Sequence, residues 1–151
     1  MSFKITKFKN IIMKEIKFRA WDKTYSLMNY KVQVGNTDYA DQNYTCNNIW
    51  VDYGDRKSVG WMNADDKCID LMQFTGMKDK NGKEIYEGDI VKHKFRRIWQ
   101  TEQHTSQVVW DQGYCCYYLF DGISNHRMRD DIIYEVIGNI YENPELSNTK
   151  I

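Results

Sequence analysis

Residues 71–92, LMQFTGMKDKNGKEIYEGDIVK, decide the fold of this chain. Asn81-Gly82 supplies the positive-φ pair of a tight hairpin turn, and Lys78, Asp79 and Lys80 keep the tip wet. Glu87-Gly88-Asp89 forms a second turn, after which Ile90 and Val91 open a new strand with charged neighbours. The segment writes two chain reversals in 22 residues and contains no nucleophile, metal cage or phosphate cradle.

Working outward, residues 16–34 form an opening hairpin. Ile16, Phe18 and Ala20 alternate with Lys17, Arg19 and Trp21, Asp22 to Ser26 turns the chain, and Met28, Tyr30, Val32 and Val34 recur at period two. Gly35 to Asn48 is a long polar loop. Ile49 to Val51 is a short strand, and Asn63 to Lys67 is another polar connection. Ile90 to Trp99 is a strand whose phase slips near its end, as a bulge or a strand end would make it. Val108 to Trp110, the Asp111-Gln112-Gly113 turn and Tyr114 to Phe120 form a third hairpin with an aromatic return strand. Asp121 to Asp131 is polar, with room for one helical turn. Ile132 to Tyr141 closes the fold, with Gly138 as a bulge, and Asn143-Pro144 ends it.

Composition agrees with a β-dominated chain. Aromatics make up 15% of the 151 residues, including 11 Tyr and 5 Trp, and proline occurs once. Large flat side chains suit pleated, half-buried surfaces. The length is that of one domain with a core of its own. Twenty-one basic and 21 acidic residues cancel, so the whole-chain field draws in neither nucleic acid nor anionic membrane, and a charged partner must meet a local patch. No apolar run reaches the roughly 20 residues that span a bilayer, and a cytoplasmic protein is expected. Residues 1–12 read as an N-terminal extension, 13–142 as the domain and 143–151 as a tail.

Two sets of residues qualify as sites. Lys92, Lys94 and Arg96 fall on one side of the Ile90 to Trp99 strand, with Trp99 near them, which is the mixture of cation and aromatic ring that a single-strand nucleic-acid groove uses. An ordinary solvated strand, or an edge protected by charge, has the same composition. Tyr114, Tyr117, Tyr118 and Phe120 put large rings on both faces of one strand. Those facing outward form an apolar patch suited to another copy of the chain, unless the long loops cover them.

Other chemistry finds little support. Cys46, Cys68, Cys115 and Cys116 show no CxxC spacing; Cys115 and Cys116 would point to opposite faces of a strand, and all four read as free thiols acting as small apolar fillers. His93, His104 and His126 are separated by loops and fit no recognised metal pattern. The acidic pairs Asp65-Asp66 and Asp130-Asp131 sit in connections, where carboxylates commonly solvate turns. No GxSxG, HExxH, GxGxxG or P-loop spacing occurs, so neither an enzyme nor a cofactor is expected.

Three blocks, IKFRAWDKTYSLMNY at 16–30, LMQFTGMKDKNGKEIYEGDIVK at 71–92 and YEVIGNIYENPEL at 134–146, together resemble the YopX family of phage and prophage proteins. They follow the family's order across about Met13 to Leu146. The resemblance implies a β-rich domain on an SH3-like barrel, encoded by a temperate phage or prophage of a Gram-positive bacterium. It implies no activity, catalytic residue or cofactor. The expectation is a non-enzymatic accessory protein that forms a homo-oligomer, with a nucleic-acid-binding module as the alternative; any other partner would be a phage or host protein.

Overall fold

A computed structural model describes residues 15–35, 48–54, 61–64, 67–95 and 102–147. The fold is all-β, as expected, and among the described residues a 3-10 turn stands at Pro144–Leu146. The strands among the described residues are β1 Phe18–Asp22, β2 Leu27–Asn29, β3 Val32–Gly35, β4 Asn48–Asp52, β5 Trp61–Ala64, β6 Ile69–Lys78, β7 Glu84–Tyr86, β8 Asp89–Phe95, β9 His104–Asp111, β10 Cys116–Phe120, β11 Asn125–Arg127 and β12 Ile132–Asn139.

They form three antiparallel sheets, ordered β2-β1-β6-β7, β11-β10-β9-β8-β12 and β3-β4-β5. The five-stranded sheet curls into a half-barrel. Its inner face buries Val91, Val108, Tyr117, Leu119, Ile132 and Tyr134 against Ile85 from β7. A second core, of Ala20, Val51 and Ile69, joins the four-stranded sheet to the three-stranded one. The curled sheet is compatible with the SH3-like core that the family resemblance implies.

The decisive hairpin differs in detail from the two-residue turn expected. Gly82 alone has positive φ, at 84°, and Asn81 does not share it. Gly82 N–H donates to Asp79 O at 3.0 Å and Asp79 N–H to Lys83 O at 2.8 Å, so the loop is the longer kind, in which an ordinary turn ends on a left-handed glycine. Asp79 does not keep the tip wet: it is buried. Its Oδ1 accepts Asn81 N–H at 2.7 Å and Lys83 N–H at 2.9 Å, and its Oδ2 accepts Val136 N–H at 3.2 Å. With Lys80 N–H donating to Tyr134 O at 2.9 Å, the tip docks along β12 and occupies part of that strand's outer edge. These donors outweigh burial and hold the Asp79 carboxyl below its ordinary pKa.

The second turn, at Glu87-Gly88, is where the sheets meet. Gly88 has φ 78°. Its N–H donates to Val108 O at 2.9 Å, its carbonyl accepts Ile140 N–H at 3.0 Å, and Glu87 N–H donates to Gln73 O at 3.0 Å. A Cβ at Gly88 would also press on the Met72 sulfur at 3.4 Å and on Ile140 at 3.5 Å.

Elsewhere the structure corrects several expectations. The opening hairpin breaks after Asn29, because β3 leaves β1 and pairs with β4. Arg19 is not an outward residue of β1; it is buried, as is Asp22, whose carboxylate receives Thr24 N–H, Tyr25 N–H and the Tyr53 hydroxyl. Trp61–Ala64, read as part of no strand, pairs with β4. The expected helical turn within 121–131 is replaced by β11. The bulge at Gly138 is present, with the β8–β12 register shifting between Val136 and Gly138.

The Gly82 site isolates backbone strain, since an added Cβ there meets nothing within 4 Å. Gly82→Val is expected to lower stability by about 1–2 kcal/mol, read from the urea midpoint. An unchanged midpoint would contradict the left-handed turn.

Candidate functional site

Register sorts the five-stranded sheet into two faces. Val91, His93, Ser106, Val108, Tyr117 and Leu119 point inward, so their neighbours Lys92, Lys94, Thr105, Gln107, Val109, Tyr118 and Phe120 point the other way. The two sequence-derived candidate sets therefore share one face. Lys92 and Lys94 are exposed on β8, and Tyr118 and Phe120 are half-buried two strands away on β10. Arg127, opposite Tyr118 in register, adds a further cation.

The structure separates residues within each set. Tyr117 does not belong to an outward patch: it is 7% exposed, packs in the core, and meets Trp110 edge-to-face at 5.0 Å. Tyr114 lies in the β9–β10 turn rather than on the return strand, is 74% exposed, and places its ring 6.0 Å from that of Tyr118. β8 lies between β9 and β12, so edge protection does not explain its lysines. Arg96 and Trp99 lie outside the described residues. Glu135, opposite Lys92 on β12, accepts Lys80 Nζ at 2.8 Å and places an acid among these cations.

The cysteines are not core fillers. Cys68 and Cys115 are exposed and Cys116 is half-exposed, all three as free thiols, while Cys46 lies outside the described residues. Cys115 occupies the turn with φ 51°, held there as the Asp111 carboxylate accepts Gly113 N–H at 2.8 Å and Tyr114 N–H at 3.0 Å. Asp131 closes a two-bonded pair with Arg129, as a carboxylate in a connection does, and Asp65-Asp66 lies outside the described residues.

Sequence spacing missed the convergence of the three histidines. His93 and His104 are register partners with rings stacked at 5.7 Å, and His126 meets Phe95 at 6.2 Å, which in turn meets His93 at 6.4 Å. Contacts between residues 11 apart, His93 and His104, and 31 apart, Phe95 and His126, carry no local signal. Among the described residues, no three His, Cys, Asp or Glu side chains converge as a metal centre would. His93 is 1% exposed; its Nε2 shares a hydrogen bond with Ser106 Oγ at 3.0 Å, and its Nδ1 has no partner. Burial, then repulsion from His104 and His126, pushes its pKa down to about 4, against a smaller pull from Asp121.

The sequence model of the family described as YopX protein matches residues 17–147. The chain belongs to the YopX family. Protein EF1440 from Enterococcus faecalis, known from a crystal structure, is 29% identical; the match covers 87% of this chain and 97% of that one, with a TM-score of 0.54. Protein yopX from Bacillus subtilis is 18% identical over 89% of this chain and 98% of that one, also at a TM-score of 0.54, and shares the fold. No curated protein matches the chain. Among the described residues, no helix is long and apolar enough to cross a membrane.

The His93 environment sets an acid response with a definite sign. The unfolded ring binds a proton below about pH 6.5 and the folded one only near pH 4, so stability falls as pH drops through that window. From pH 7 to pH 5 the loss attributable to His93 is about 2 kcal/mol. His93→Gln should flatten this part of the profile by that amount in urea titrations at the two pH values. An identical pH slope in the variant would contradict the assignment.

Proposed function

We propose that this YopX-family chain is a non-enzymatic accessory protein of a phage or prophage that works by associating with copies of itself. The observation that carries the proposal is the pairing of exposed Tyr114 with Tyr118, on the face that also holds Phe120. Rings at such positions supply large contact area at low entropic cost. The phage setting rests on what the family resemblance implies, and the non-enzymatic character on the lack of any catalytic motif in the sequence. A second reading, contact with single-stranded nucleic acid, is favoured by Lys92, Lys94 and Arg127 standing on the same face as Tyr118 and Phe120. Against it stand the zero net charge and Glu135 beside Lys92.

Sedimentation at micromolar concentration should give a mass above that of one chain, from an interface burying on the order of 1,000 Å² or more in total. Tyr118→Ser and Phe120→Ser should shift it toward monomer without unfolding, whereas Tyr117→Ser should destabilise the core. A strictly monomeric wild type would overturn self-association. Single-stranded DNA or RNA bound at about micromolar Kd in physiological salt, and lost in a Lys92→Ser, Lys94→Ser double variant, would establish the second reading instead.

A further inference from the structure

His93, His104 and His126 stand on the inner face of the five-stranded sheet, His93 opposite His104 in register and His126 opposite the inward Leu119. His93 is the one sealed from solvent: it is buried, its Nε2 meets Ser106 Oγ, and its Nδ1 has no hydrogen-bond partner. A proton added to this ring makes donors of both nitrogens, and Nδ1 then carries an N–H without an acceptor. The surrounding groups offer none. β9 presents His104 and Ser106, β11 presents His126, and β12 presents Tyr134, whose hydroxyl is committed to the Arg129 backbone. Among the described residues, the carboxylate whose field reaches His93 is Asp121, and it is engaged by Ile123 N–H at 2.9 Å and Ser124 N–H at 2.7 Å.

β11 lies over this cluster. The His126 ring meets Phe95 edge-on at 6.2 Å, and Phe95 in turn meets His93 at 6.4 Å. β11 consists of three exposed residues, paired with β10 alone among the described residues, whereas β9 is paired on both sides. A segment with few buried contacts at a sheet margin is the first to open. Both its ends are pinned. At one, the Asp121 carboxylate holds the turn through Gly122, φ 93°; at the other, Met128 packs against the core and donates its N–H to Tyr117 O at 3.0 Å. The Ser124 and Ile123 N–H groups keep the Asp121 carboxyl below its ordinary pKa, so this anchor retains its charge on acidification. We propose that residues 122–127 form an acid-sensitive flap: protonation of His93 swings this segment off Phe95, between the Asp121 and Met128 anchors, and admits water to the imidazolium while β8, β9 and β10 stay paired. Burial, then His104 and His126, disfavour the proton in the closed form, so the open form gains population as pH falls below the ordinary histidine range. Beyond the loss of overall stability described above, the flap locates where the molecule yields to acid, and it does not depend on self-association.

Amide hydrogen exchange of the full chain at pH 7 and pH 5, with rates corrected for intrinsic chemistry, tests the proposal. In wild type the opening that exposes the β11 amides should become about tenfold or more populated from pH 7 to pH 5. At pH 5 it should exceed the opening of the β6 amides by about a hundredfold. His93→Gln should abolish the rise at β11 while leaving the β11 amides at their pH 7 level. A readout on the unmutated chain covers the event that this variant misfolds: at pH 5, sub-denaturing urea should accelerate exchange in β6 but scarcely in β11, since a flap exposes little surface on opening. The proposal is overturned if β11 and β6 exchange through one opening with the same urea dependence, if a folded His93→Gln variant shows the same rise at β11 as wild type, or if the acid-induced rise falls on the amides of His104–Ser106 and spares β11.

Discussion

The fold turns on a buried ion pair between Arg19 of β1 and Asp89 at the start of β8, which ties the four-stranded sheet to the five-stranded one. Nη2 of Arg19 lies 2.7 Å from Oδ1 of Asp89, with the two side chains 2% and 1% exposed. The same nitrogen donates to Glu87 O at 3.2 Å, and the guanidinium lies over the Tyr86 ring at 4.9 Å. Asp89 Oδ2 accepts Tyr86 N–H at 2.8 Å, closing the turn from β7 into β8. Burial raises the Asp89 pKa, and Arg19 opposes that rise. Such a pair adds little over well-packed apolar residues, yet losing one partner strands the other in the core. Its value here is positional: it fixes the turn on which β6, β9 and the end of β12 converge.

That position explains how the faces of the half-barrel are disposed. Gly88 hydrogen-bonds Val108 and the residue following β12, so the five-stranded sheet starts with a defined register against β6 and β7. From there the alternation of β8, β9 and β10 sends His93, Ser106 and Leu119 inward and Lys92, Lys94, Tyr118 and Phe120 outward. The Asp79 turn settles the far side of the sheet, along β12, while β11, paired with β10, forms the other margin among the described residues.

Much of this was legible in the sequence because it is local. Gly82, the turn at Gly88, the bulge at Gly138 and the strand character of most segments follow from turn chemistry and period-two patterning. The parts that were not legible are long-range. Arg19 reads as an outward residue by alternation, and only the arrival of Asp89, 70 positions later, makes its burial tolerable. Asp79 reads as a solvated tip until Val136 supplies an N–H from across the fold. Likewise, the outward face was seen as two unrelated fragments, since the register that unites Lys92 with Tyr118 depends on β9 between them. Strand alternation reads Cys115 as a strand residue, because a left-handed cysteine in a turn has no signature in that alternation.

A double-mutant cycle on Arg19 and Asp89, read from urea unfolding at pH 7, tests the central claim directly. Asp89→Asn keeps the acceptor for Tyr86 N–H while removing the charge. Arg19→Met and Asp89→Asn should each cost on the order of 3 kcal/mol, and the double variant should be less destabilised than their sum by about 1.5 kcal/mol or more. Losses that add to within about 0.5 kcal/mol would show two independent side chains and contradict the account.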